Sequence, residues 1–217
     1  MHALFSTDFA ELYDASQLRS LWAFETFRVQ GDSIIGWVAP CRITVDALID
    51  RDDAVNDRPI FADSQVHYVV EMFGVELKFA VMAQRLLNGW MARGARWMKR
   101  DDLNCHVELS GNDVYILFPD EIELEAGEDF AAFVRSGRFH YSLPGCRKLS
   151  VSIATLSPVS GLIHAGINVT TEGTPVQTAS LEMLGIDAAE YGRWVGENFA
   201  RDYEKVLLAC SKVRPVP

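Results

Sequence analysis

Two short runs in the last third of the chain constrain its folding more than any other feature. Lys148-Leu149-Ser150-Val151-Ser152-Ile153-Ala154 alternates polar and apolar positions, and Leu162-Ile163-His164-Ala165-Gly166-Ile167-Asn168-Val169 alternates too. Side chains of a strand point to opposite faces in turn, so each run reads as a strand with an apolar face turned to a core. The connection between them, residues 157–161, has the length of a hairpin loop. Matching core face to core face sets Ser150 opposite Asn168, Ser152 opposite Gly166 and Lys148 opposite Thr170. One face then carries the amine of Lys148, the hydroxyls of Ser150 and Ser152, the imidazole of His164 and the amide of Asn168. Ala154 and Gly166 leave room above them, and glycine within a strand often marks the close approach of a ligand or a second backbone. This face is the expected small-molecule site, with Lys148 donating to a phosphate or carboxylate or stabilising charge that develops during a reaction. The bland reading of the same residues is the solvent side of an amphipathic hairpin.

The rest of the chain predicts an α+β fold, a largely antiparallel sheet flanked by helices. Residues 7–23, with Phe9, Leu12, Leu18, Leu21 and Trp22 near helical spacing, read as a helix capped by Thr7. Residues 26–30 and 33–40 read as a first hairpin turning at Gly31-Asp32. Residues 46–63, rich in aspartate and broken by Pro59, read as an exposed acidic loop. Ser64 then starts an expected helix with Val66, Val69, Val70 and Phe73 as its stripe, Gly74 as its stop, and His67 and Glu71 on one side. Residues 76–98 carry the strongest helical pattern, which Gly89 and Gly94 are expected to end or bend. Residues 105–109 and 114–118 flank Gly111-Asn112-Asp113 as a second hairpin, and residues 188–211 form a closing helix.

At 217 residues, 49% of them hydrophobic and 23% charged, the chain fits a single domain over 1–217. Its apolar stretches are far shorter than a bilayer span, and the N-terminus, with Asp8 and Glu11, lacks the pattern of a secretory signal. Cys41, Cys105, Cys146 and Cys210 are scattered, which predicts reduced thiols in a cytoplasmic protein. The net charge of −10 opposes a broad nucleic-acid surface.

Gly145-Cys146-Arg147-Lys148-Leu149-Ser150-Val151-Ser152-Ile153-Ala154-Thr155, with Ser157-Pro158-Val159-Ser160, Leu162-Ile163-His164, Gly166-Ile167-Asn168-Val169 and Glu172-Gly173-Thr174-Pro175-Val176, resembles the uncharacterised domain-of-unknown-function family 366. Leu18-Arg19-Ser20-Leu21-Trp22, Gly31-Asp32-Ser33-Ile34, Pro40-Cys41, and His67 with Glu71 extend the resemblance over most of the chain. It implies a fold similar to biotin and lipoate protein ligases and class II aminoacyl-tRNA synthetases, and no established activity. Gly145 to Ser150 also looks like the lipoate-ligase segment whose lysine contacts acyl and phosphate oxygens, which makes Lys148 the analogous residue. The resemblance adds Arg19, Asp32 and Thr174 to the ligand-binding candidates and leaves ATP with Mg²⁺ open as cofactors. The Gly-Arg-rich phosphate loop of biotin ligases has no clear equivalent; Arg93-Gly94-Ala95-Arg96 has the composition but falls in a helical run.

The aspartate-rich run offers carboxylates for Mg²⁺ beside a substrate phosphate, or simply a solvated loop. Cys41, His67, Cys105, His106 and His164 are zinc-ligand types without paired spacing. Cys41 also fits a base-activated nucleophile, and His67 with Glu71 an oriented base, although a buried thiol and a structural polar pair are the commoner fates. Three functions follow: a ligase- or transferase-like enzyme acting on a carboxylate- or nucleotide-type ligand, with Lys148 and His164 catalytic; a non-catalytic ligand-binding module; or a structural subunit. A homo-oligomer is expected in each case.

Overall fold

A computed structural model describes residues 1–216. Five strands form the main sheet: β1 (His2–Phe5), β2 (Ser33–Ile43), β3 (Ile60–Phe73), β7 (Ser150–Leu156) and β8 (Ser160–Asn168), in the order β1-β2-β3-β8-β7. All neighbours run antiparallel except β1 and β2, which run parallel. A smaller antiparallel sheet joins β4 (His106–Ser110), β5 (Asp113–Leu117) and β6 (Cys146–Lys148). The helices are α1 (Trp22–Phe27), α2 (Arg51–Val55), α3 (Leu77–Met98), α4 (Phe130–Ser136), α5 (Leu181–Leu184) and α6 (Ala188–Cys210). The mixed, largely antiparallel architecture expected from the sequence is present, and no helix of the described residues is long and apolar enough to cross a membrane.

Both faces of the main sheet are buried. On one, α3 and α6 cover Val66, Tyr68, Val70, Ile163, Ala165 and Ile167. Tyr68 donates its hydroxyl to Gly192 O at 3.0 Å, and Tyr191 donates to Met91 O at 2.8 Å, which ties the helices to the sheet and to each other. On the opposite face, the chain between β1 and β2 folds back over Ile35, Trp37, Val69 and Leu162 with Tyr13, Leu18 and Trp22.

This double burial explains the main departures from expectation. Residues 64–73 belong to β3, a strand, not a helix. A central strand apolar on both faces loses its two-residue alternation, and its valines then mimic a helical stripe. His67 and Glu71 still share a face, because four is an even spacing along a strand. Residues 7–23 do not form the expected helix: Ala15 (φ 77°) and Leu21 (φ 64°) are left-handed, and only Trp22–Phe27 is helical. Their aromatic spacing reflects packing onto the sheet. Nor do residues 26–30 form a hairpin with residues 33–40; β2 takes β1 and β3 as its partners instead.

The acidic connection is more structured than a loop. It contains a 3₁₀ turn, Val45–Ala47, and α2, whose N-terminus Asp50 caps by accepting from Asp52 N at 2.9 Å, and its last residues enter β3. Helix α3 runs unbroken through Gly89 and Gly94. Gly94 is a packing glycine, since an added Cβ would lie 2.9 Å from the Tyr191 ring. The second hairpin, β4–β5, and the closing helix α6 form close to where the pattern placed them.

The β7–β8 hairpin forms, but its register differs by one residue. Ser150 pairs with Ile167, Val151 with Gly166, Ser152 with Ala165 and Ile153 with His164. A one-residue shift exchanges the faces of a strand. Ser150 and Ser152 therefore join Ile163, Ala165 and Ile167 under α3, while Val151 and Ile153 share the face of His164, Gly166 and Asn168.

Candidate functional site: a two-limbed cleft at Lys148

The chain leaves the small sheet at Lys148 and enters the main sheet at Ser150, and the crossing point opens a cleft. A wide limb of about 570 Å³ lies between the segment 50–61, the start of β5 at Asp113 and Tyr115, and the irregular segment 174–178. A narrow limb of about 90 Å³ runs inward to His164 and Tyr13 between Ile43, Leu48, Ile49 and Ile153. Asp50, Asp53, Asp113 and Lys148 line both limbs, so these groups stand where the two meet.

Lys148 Nζ lies 2.9 Å from Asp113 Oδ2, each side chain 21% exposed. Burial raises the Asp113 carboxyl above its ordinary value, and the Lys148 ammonium opposes that rise. Asp53 is also raised, first by burial and then by Asp50, with Lys148 and Arg58 pulling it down. The charged groups lining the wide limb are thus Asp50, Asp53, Asp57 and Asp113 against Lys148 and Arg58.

Amides form part of the floor. Gln65 Nε2 donates to Asn168 Oδ1 at 2.8 Å, and Asn168 Nδ2 donates to Ala179 O at 3.2 Å and Lys148 O at 3.4 Å. Gln65 Oε1 is buried and has no hydrogen-bond partner among the described residues. It occupies the space left by Gly166, where an added Cβ would lie 2.6 Å from it. Thr174 hydrogen-bonds Thr171 O at 2.7 Å and pairs with Thr178 at 3.1 Å along the rim.

The narrow limb ends on a chain of hydrogen-bonded rings. His67 Nε2 is 3.2 Å from Ala39 O, and His67 Nδ1 is 3.2 Å from His164 Nε2. His164 stacks on Tyr13 with centroids 3.7 Å apart and planes inclined by 11°. Burial pushes His67 down to about 4 and, with the neighbouring His67, holds His164 well below its usual value, so both rings are neutral near pH 7.

The remaining candidates stand elsewhere or are already engaged. The Ser152 hydroxyl accepts from Gln84 Nε2 (2.8 Å) and Asn88 Nδ2 (2.9 Å) and donates to Asn112 O (2.7 Å), and Ser150 Oγ accepts from Val114 N at 2.9 Å. Arg19 is exposed and paired with Glu25, while Asp32 joins Phe73 N (2.8 Å) to the Tyr203 hydroxyl (2.7 Å); neither lines the cleft. Glu71 makes no bond to His67; it accepts from Leu21 N and, at 2.7 Å, from Ser160 Oγ. Cys41 is fully buried, and burial pushes its thiol up to about 12, which leaves no thiolate for attack. Sequence reasoning missed Asp113, Gln65 and Tyr13, and named Asp53 only as one of the aspartate-rich run. Asp113 stood in a recognised turn; for Gln65 and Tyr13 no local signal exists.

Residues 1–118 and 134–214 match the family model described as Domain of unknown function (DUF366). The chain belongs to that family. An uncharacterized protein of Methanocaldococcus jannaschii is 29% identical over 211 residues, 94% of this chain and 80% of that one. A protein of unknown function from Pyrococcus horikoshi is 31% identical, with a TM-score of 0.80 and both chains fully covered. The biotin protein ligase from Aquifex aeolicus in complex with biotin and ATP is 14% identical, with a TM-score of 0.52 over 94% of this chain and 71% of the ligase. A putative lipoate protein ligase from T. acidophilum with bound lipoic acid is 12% identical, with a TM-score of 0.52 over 94% and 86%. The DUF366 chain thus has a biotin/lipoate ligase-like fold.

In this DUF366 chain the cleft is lined by more carboxylates than cations: Asp50, Asp53, Asp57 and Asp113 against Lys148 and Arg58. The Arg93–Arg96 segment is interior to α3, and of the β2–β3 connection Asp50, Asp53 and Asp57 line the cleft with Arg58, a balance that disfavours phosphates. Among the described residues no group of three or more His, Cys, Asp or Glu is arranged to hold a metal ion.

Proposed function

We propose that the chain, acting as one domain, binds a small carboxylate- or nucleotide-type ligand that brings hydrogen-bond donors together with its anionic group. The observation that carries this reading is the Lys148–Asp113 pair where the two limbs meet. A ligand carboxylate or phosphate takes the place of the Asp113 carboxylate on Lys148, and the raised Asp113 accepts a proton as its partner is withdrawn. The donors satisfy Asp50 and Asp53; with Asp57 and Asp113, these carboxylates outnumber the cations of the cleft, Lys148 and Arg58. A bare anion lacking donors meets net repulsion there.

A second reading is favoured by the acidic connection over the cleft: the ligase-like pocket is kept for binding or regulation, without adenylate formation. Thermal-shift screening against nucleotides, amino and acyl carboxylates, with and without Mg²⁺, in the native chain and Lys148→Ala, tests both. A ligand at about a hundred times its dissociation constant adds about 2.7 kcal/mol of stability. A shift present in the native chain and lost in Lys148→Ala supports the site, and turnover assays of that ligand separate enzyme from binder. No shift in either protein, with Lys148→Ala changing size on a sizing column, identifies the face as a subunit contact instead.

A further inference from the structure

We infer that the narrow limb is a subsite for a small uncharged group tipped with an N–H or O–H donor, which His164 Nδ1 accepts. This rests on the reading that the cleft binds a small ligand, and adds the chemistry of the ligand's inner end. The argument starts at a backbone carbonyl. Ala39 O can only accept, so His67 Nε2, 3.2 Å away, carries a proton. In the neutral ring the other nitrogen is then bare, so His67 Nδ1 is an acceptor and His164 Nε2, 3.2 Å away, must donate to it. The chain of tautomers ends with His164 Nδ1 bare. Burial of both rings keeps that assignment by disfavouring any second proton.

The end of the relay has nothing to bond. His164 is 2% exposed, and no group among the described residues hydrogen-bonds its Nδ1. Stacking on Tyr13 and the contact of Nε2 with His67 Nδ1 fix the ring's orientation. The ring is buried but this nitrogen is open to the limb, and a donor that reaches it gains a hydrogen bond worth about 0.5–1.5 kcal/mol. The side walls, Ile43, Leu48, Ile49 and Ile153, are hydrocarbon, and the nearest charges stand at the junction, so the group that enters is uncharged. A cavity of roughly 150 Å³ holds benzene, and about 90 Å³ suits a five-membered ring or its equivalent.

Pyrrole and furan test this as a matched pair, equal in shape but differing in that only pyrrole has a donor. The full chain is labelled with ¹⁵N in its histidine rings and titrated with each. The expected result is a bare Nδ1 on His164 before addition, a His164 Nδ1 resonance that moves with pyrrole and stays with furan, and a roughly 2- to 10-fold tighter fit for pyrrole. In His164→Phe the preference disappears. Leu48→Trp, which fills the limb from another wall, excludes both probes while the tautomers stay as they were, and serves if His164→Phe does not fold. A proton on His164 Nδ1, equal affinity for the two probes, or binding of neither overturns the inference. Both probes are uncharged and make no ion pair with Lys148. Failure of the Lys148→Ala ligand test therefore shows itself separately from failure here.

Discussion

Both carboxylate oxygens of Glu71 lie 3.0 Å from the backbone N–H of Leu21, the residue that opens α1 in a left-handed conformation. Ser160 Oγ adds a third bond, so a buried carboxylate on β3 anchors the segment that covers His67 and Trp37. Glu71→Ala takes the acceptor from the Leu21 N–H and leaves the Ser160 hydroxyl with Ser157 Oγ alone. The expected loss is about 1–2 kcal/mol, measured by urea denaturation followed through the fluorescence of buried Trp22. A loss below half a kcal/mol refutes the anchoring role.

Gly166 is the position where the cleft floor tolerates no side chain. An added Cβ lies 2.6 Å from Gln65 Oε1, so Gly166→Ala displaces the Gln65 amide and breaks its 2.8 Å bond to Asn168. The variant is expected to lose about 1–3 kcal/mol and to weaken any ligand that the Lys148 test identifies. Unchanged melting and unchanged affinity would show that the amide pair is not part of the floor.

The histidine pair makes stability depend on pH with a definite sign. His67 titrates at about 4 in the folded chain against 6.5 when free, and His164 is lowered as well. Between those values the unfolded chain holds more protons than the folded one, so the contribution is complete above about pH 6.5 and drains away as pH falls toward 4. His67 alone supplies roughly 3 kcal/mol of this change. Denaturation curves at neutral pH and near pH 5 should differ accordingly, and a variant in which both histidines are replaced by glutamine should lose less over the same interval.

Thiol labelling reads burial directly. Cys210 is exposed and should react with iodoacetamide in the native chain within minutes. Cys41, buried and held near 12, should react only in denaturant, as mass mapping of the labelled peptides will show. Fast native labelling of Cys41 would return it to the list of nucleophiles.

Local signals revealed the parts of this fold that are local. The β7–β8 hairpin, the β4–β5 hairpin, α3 and α6 follow from alternation, turn residues and helical periodicity within their own segments. Strand β3 was hidden because neighbours bury it on both sides, and the fold-back at residues 6–21 because its aromatics pack on a sheet that the segment itself does not predict. The hairpin's existence was legible and its register was not. Ser150 and Ser152 look like a solvent face, yet Gln84 and Asn88 on α3 give Ser152 polar company inside. Of the site, Lys148, His164 and Asn168 could be named from their strands. Asp113 as the partner of Lys148, and His67 as the partner of His164, come from sequence separations that only the folded sheet closes.

Lys148 is clamped by its main chain on both sides. It pairs with Tyr115 across one edge, and its carbonyl accepts from Ala179 N at 2.9 Å across the other. The peptide unit is thus held whatever side chain it bears. A descendant of this chain can exchange the lysine for a shorter, neutral or acidic residue through one or two base changes and keep the same trace. The side chain at this point is free to drift between lineages while the architecture around it is inherited intact.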